Sequence, residues 1–151
     1  MTLKIIGIGS PHGDDQVGWA AIDALEHVAL PAGTELHRVA TPASQLLPLL
    51  AGADRVILVD AVASDDPPGS LIECAAKDLH RSPCDLSNHG LSVSAALNVA
   101  EALGDLPRDV RIVGLAVDAL DAPNQAMTPV VLAALPLLVA VVTETAFAGQ
   151  R

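Results

Sequence analysis

Four residues in this sequence have the types and positions to do chemistry: Asp14, Asp15, Asp60 and His89. Asp14 and Asp15 are adjacent and follow the glycine-containing stretch Gly7-Ile8-Gly9-Ser10-Pro11-His12-Gly13. Asp60 closes the apolar run Arg55-Val56-Ile57-Leu58-Val59, and His89 stands in Ser87-Asn88-His89-Gly90, just ahead of a helical pattern. Two carboxylates and one imidazole suit a divalent first-row ion such as nickel or zinc, with coordination positions left open for a substrate. Each residue alone has an ordinary explanation: a helix cap, a turn former at a strand end, a solvated histidine. Only their convergence on one rim would make a metal or catalytic site. His12 lies in the same loop and could assist. His27, His37 and His80 have no partner pattern and read as solvated.

The surrounding pattern predicts elements that can bring these residues together. Leu3, Ile5, Ile6 and Ile8 form a short apolar run, a buried strand, and Val17, Ala20, Ala21, Ala24, Leu25 and Val28 recur at helical spacing after it. Residues 34–40 are a modest strand. Thr41-Pro42-Ala43-Ser44 can cap a short helix with Leu46, Leu47, Leu49 and Leu50 on its apolar face. Residues 55–59 form a strand apolar on both faces, as in a parallel sheet, ending in Asp60. Asp65-Asp66-Pro67-Pro68-Gly69 is a solvent turn, and residues 70–75 a further strand. The connection between these two strands is too short for a helical crossover, so the second runs antiparallel or lies at an edge. A helix over 92–103, a strand over 110–117 and a helix from Thr128-Pro129 to Phe147, kinked at Pro136, complete the chain. The alternation gives a single domain over 1–151: a three-layer α/β/α sandwich around a mostly parallel five-stranded sheet. Ligands of such sheets bind beyond the carboxyl ends of the strands, at a switch point. Asp14, Asp15, Asp60 and His89 all fall at that end.

Several function classes are disfavoured. Gly7-x-Gly9 invites a dinucleotide reading, but His12 holds the place of the third glycine and two carboxylates follow where a pyrophosphate would need bare N–H groups. No GxSxG elbow is present. Cys74 and Cys84 form no CxxC and read as reduced, structural residues. The net charge of −10 opposes binding to nucleic acid or to an anionic membrane surface, while an acidic face could suit a basic protein segment. One Trp and one Phe are the whole aromatic complement, which leaves little for stacking on bases or sugars. The apolar stretch 130–142 is thirteen residues, short of the about 20 a membrane span needs. Met1-Thr2-Leu3-Lys4 leads straight into a strand with no signal-peptide pattern, so a cytoplasmic protein is expected.

The motifs resemble those of the maturation endopeptidases of [NiFe]-hydrogenases. The Gly-x-Gly loop leading to an acidic pair and a glycine appears as Gly7-Ile8-Gly9-Ser10-Pro11-His12-Gly13-Asp14-Asp15-Gln16-Val17-Gly18. The strand ending in Asp-Ala appears as Arg55-Val56-Ile57-Leu58-Val59-Asp60-Ala61-Val62, followed by Pro67-Pro68-Gly69 and then by Ser87-Asn88-His89-Gly90-Leu91-Ser92. The resemblance spans nearly the whole chain. It implies a phosphorylase/hydrolase-like fold with one antiparallel strand. It also implies removal of a C-terminal peptide from the hydrogenase large-subunit precursor after nickel insertion, with Asp15, Asp60 and His89 at the metal-contacting positions. In the family the nickel arrives with the substrate, and no organic cofactor is implied. This chain departs from the pattern at Ser10, where an asparagine is common, and at Val39-Ala40-Thr41-Pro42, which replaces an Asp-Gly-Thr-like segment. Asp15 also stands where some members have the longer Glu. Asp14 could orient Asp15 or serve as base, and the ion could polarise the scissile carbonyl or activate a water. The residues alone leave two rivals open: a non-catalytic nickel chaperone with the same rim, and a small-molecule hydrolase.

Overall fold

A computed structural model describes residues 2–76, 90–118 and 126–149 of the chain. The described strands, β1 (Leu3–Ile8), β2 (Thr34–Val39), β3 (Arg55–Ala63), β4 (Leu71–Ala75) and β5 (Asp109–Val117), form one sheet in the order β2-β1-β3-β5-β4. β2, β1, β3 and β5 are parallel, and β4 pairs antiparallel with β5 at the edge, as the short β3–β4 connection requires.

Four helices cover the sheet: α1 (Val17–Leu25), α2 (Pro42–Leu50), α3 (Gly90–Leu103) and α4 (Pro129–Ala148). Side chains alternate along each strand, so every strand of the middle layer feeds two cores. Ile5, Ile57, Val59, Val113 and Leu115 pack against α1 and α4. Ile6, Ile8, Leu58, Val62 and Ile112 pack against α2 and α3. Both cores are aliphatic, as a chain with one Trp and one Phe must build them.

Three elements differ from their sequence expectations for physical reasons. β3 does not stop before Asp60. It runs on through Ala61-Val62-Ala63, because β5 offers an equally long partner, with Ala63 opposite Val117. Asp60 is therefore inside a strand. α4 is twenty residues long and passes without interruption through Pro136, so the length argument against a membrane span does not hold for it. Its inner row, Val131, Leu138, Val142 and Ala146, is fully buried on the sheet, as in a core helix. Lastly, Cys74 is disulfide-bonded rather than free. The lack of a CxxC argues against a metal or redox motif, and is no argument against a structural bridge.

A buried cation fastens the far end of α4. Arg55, at the start of β3 and 5% exposed, donates from its guanidinium to the carbonyls of Ala146 (3.1 Å) and Thr145 (2.9 Å). These are last-turn carbonyls, for which a helix has no N–H donor of its own left and where positive charge is favoured. Gly149 follows directly, and a Cβ there would collide with the guanidinium.

Candidate active site

β1 has β2 on one side and β3 on the other, with α1 and α2 on opposite faces of the sheet, so the topological switch point lies between β1 and β3. The loop after β1 and the carboxyl half of β3 bound that crevice. The loop is held by its own backbone. Gly9 N–H donates to the Val39 carbonyl (3.0 Å), Ser10 N–H to the Asp15 carbonyl (3.2 Å) and Asp15 N–H to the His12 carbonyl (3.1 Å). Gly13 turns the chain at φ 53° into a single 3-10 turn, Gly13–Gln16, that carries both acids and runs into α1.

Missing side chains let this segment sit close on the sheet. A Cβ on Gly18 would lie 2.6 Å from the carbonyl oxygen of Val59, and one on Gly9 would lie 2.7 Å from that of Asp15. The 3-10 turn and α1 consequently rest directly on β3 beside Asp60, and Asp15 is left only 8% exposed. The sequence motif carries Gly18 as the glycine after the acidic pair, and the close approach to β3 is the physical reason for a glycine there.

Asp60 is completely buried, and one of its carboxylate oxygens accepts the N–H of Ala61 at 2.8 Å. By strand alternation it shares the face of Leu58 and Val62, the face that α3 covers. α3 leads to the amino end of β5, so its own start, Gly90, is at the carboxyl end of the parallel strands. Burying a carboxylate costs several kcal/mol that good partners must offset.

Asp14 reaches across to the start of α4. Its carboxylate accepts the backbone N–H of Thr128 at 2.7 Å and contacts the Thr128 hydroxyl at 3.0 and 3.1 Å. Thr128 is the N-cap of α4, with extended backbone (φ −65°, ψ 150°) and Pro129 next, as its sequence predicts. Its hydroxyl, however, serves Asp14 and not its own helix. An anion at a helix N-terminus is favoured by the orphan N–H groups and the helix dipole. Asp14 thereby ties the acidic loop to the start of α4.

Asp15 and Asp60 thus reach the same end of the sheet at the switch point, both buried. His89 lies outside the described residues, as does His80. His12 is exposed at the start of the 3-10 turn, and His27 is exposed at the end of α1. His37 is half-buried and paired with Glu35 at 3.0 Å, so it is less simply solvated than its sequence context indicates. Among the described residues, no three of His, Cys, Asp and Glu are grouped so as to hold a metal ion.

Solved structures share this architecture. The hydrogenase maturating endopeptidase HybD from E. coli superposes with a TM-score of 0.86 over 99% of this chain and 94% of its own, at 24% identity. The [NiFe] hydrogenase maturation protease HybD from Thermococcus kodakarensis gives 0.78 over 97% and 99%, at 22% identity. At such identities the likeness establishes the class of fold: an α/β sandwich with a parallel sheet and one antiparallel edge strand. Sequence carries it further. The Hydrogenase 2 maturation protease of Escherichia coli (strain K12) is 26% identical over 135 residues, 87% of this chain and 82% of its own. The HycI hydrogenase maturation protease family model matches residues 26–145. The chain belongs to the hydrogenase maturation protease family, and its activity is that of an endopeptidase. The matched span includes Asp60 and His89 and begins after the acidic pair.

Proposed function

We propose that this endopeptidase removes a C-terminal peptide from the nickel-loaded precursor of a [NiFe]-hydrogenase large subunit, in the cytoplasm, and that the nickel comes with the substrate. The observation that carries this reading is the burial of two carboxylates, Asp15 and Asp60, at the switch point of the sheet in a member of this family. Together with His89 they supply the hard oxygens and borderline nitrogen that suit nickel, while leaving positions for the substrate's own ligands. Binding the substrate's ion selects precursor that has been loaded. The ion then assists hydrolysis as a Lewis acid: water adds to the scissile carbonyl, the C–N bond breaks and the leaving amine takes a proton. Asp14 is held by the N–H and hydroxyl of Thr128, which favours a role in positioning the acidic loop over that of a base.

Incubating nickel-loaded precursor with the protein and weighing the large subunit tests the proposal. The mass falls by one C-terminal peptide with the wild type, and the loss disappears with Asp15→Ala or His89→Ala. The enzyme purified alone holds nickel weakly, and a chelator does not unfold it. An unchanged precursor mass would indicate a nickel chaperone, and a tightly held stoichiometric ion would overturn the view of nickel as part of the substrate.

A further inference from the structure

α4 is anchored at both ends: Asp14 binds its N-cap, and Arg55 binds its last-turn carbonyls. Such ties fix the rotation of the helix and so decide which face looks outward. That outer face is apolar. Val130, Leu132, Leu137 and Phe147 are 52%, 52%, 53% and 44% exposed, half of the large exposed hydrophobics among the described residues. Ala133, Pro136 and Ala140 are exposed between them, and Glu144 is the one charged residue of the helix. For a chain of net charge −10 this stripe is sparsely charged, with Glu144, between Ala140 and Phe147, its one charge. Its first turn lies at the candidate site. Thr128 is bonded to Asp14, and Gly69 of the Pro67-Pro68-Gly69 turn seats against Val130, where a Cβ would lie 3.1 Å from the Val130 carbonyl.

We infer that the outer face of α4 is the docking surface for the folded body of the precursor, engaging an uncharged apolar patch beside the segment to be cut. The inference rests on the function proposed above. Three observations select this occupant. The stripe begins at the rim where the scissile segment must enter and runs away from it along one rigid helix. Its exposed area is on the order of 400 Å², the size of a functional patch on a monomer and about half of what each partner gives to a stable interface. That size fits a substrate that must leave better than a permanent second copy. Helices that lie on membranes carry Lys and Arg on their polar face, and α4 has neither.

The test compares the full-length wild type with Leu137→Asp, Phe147→Asp and, as control, Val99→Asp on the exposed side of α3 (Val99 is 46% exposed). With nickel-loaded precursor, Leu137→Asp and Phe147→Asp raise KM at least tenfold, with the effect on KM exceeding that on kcat. Val99→Asp leaves KM within twofold of the wild type, and circular dichroism shows all three folded. If the wild type cleaves and the α4 variants share its KM, the docking inference fails while the endopeptidase reading stands. If the wild type does not cleave at all, the endopeptidase reading itself fails. A wild-type dimer in sedimentation that Leu137→Asp makes monomeric, or wild type that co-sediments with phosphatidylcholine vesicles, would overturn the inference in favour of a second copy or a lipid surface.

Discussion

β3 carries a buried charge near each end, and the two ends are built on different principles. At its start, Arg55 is 5% exposed and its guanidinium is spent on structure: two last-turn carbonyls of α4 and, at 3.5 Å, the carboxylate of Asp109. Six residues into the strand, Asp60 is fully buried at the switch point, beside a turn that glycines bring down onto the sheet. The positive charge makes the fold. The negative charge is tolerated by it. A buried charge therefore has to be judged by what it touches and where, since burial alone does not separate a staple from a site.

Substitution can break this contrast. The largest effect belongs to Asp60→Asn, which keeps the shape and an acceptor for the Ala61 N–H but removes the charge. Precursor cleavage falls by about 10³-fold, the scale on which removing one charged member of a catalytic group acts. The melting temperature holds or rises, because a neutral amide is less costly to bury than a carboxylate. A marked loss of thermal stability would place Asp60 with the structural charges. Arg55→Met gives the reverse pattern. Removing the cation from the end of α4 costs about 2–3 kcal/mol, roughly 6–10 °C in Tm for a chain of this size, while cleavage at 25 °C stays within about threefold. A collapse of activity in a folded Arg55→Met protein would show that the two ends of β3 are not separable.

How far the sequence could be read differs between these regions for the same reason. Apolar runs, strand alternation and helical spacing located the described strands and α-helices, and the short β3–β4 connection required β4 to run antiparallel or lie at an edge; it does both. The end of β3 was misplaced because its extension depends on the length of β5, more than fifty residues downstream. That Asp15 and Asp60 would lie at the same end of the sheet was legible because chain order and the switch-point rule suffice to place them there. The partner of Asp14 was not legible: Thr128 is 114 residues away, and its own hydroxyl reads locally as a cap for its own helix. Arg55 was equally opaque. An arginine opening a strand looks like a solvated flank until the carbonyls 90 and 91 residues later are seen to close over it.

A third charged arrangement sets the lower end of the scale. Arg38 on β2 binds Asp23 and Glu26 of the α1 region, with the Glu26 contact at 2.6 Å, and all three side chains are more than a third exposed. Hydrogen bonding to Asp23 first, and then to Glu26, holds the Arg38 guanidinium above its ordinary value, against a small opposing effect of burial. A cation whose folded value is raised stabilises the fold fully below its unfolded value, and loses that contribution only as pH rises through the raised one. Arg38 therefore stays charged across the whole range in which the protein can be assayed. Its worth is nonetheless small, since water and salt screen exposed pairs. Arg38→Ala should cost about 0.5 kcal/mol, with the difference from wild type shrinking as salt is raised from 0.05 to 0.5 M. Cleavage should be unaffected. A loss near that of Arg55→Met, independent of salt, would mean that exposure does not set the worth of a charge in this fold, and the contrast between the two ends of β3 would then need another cause.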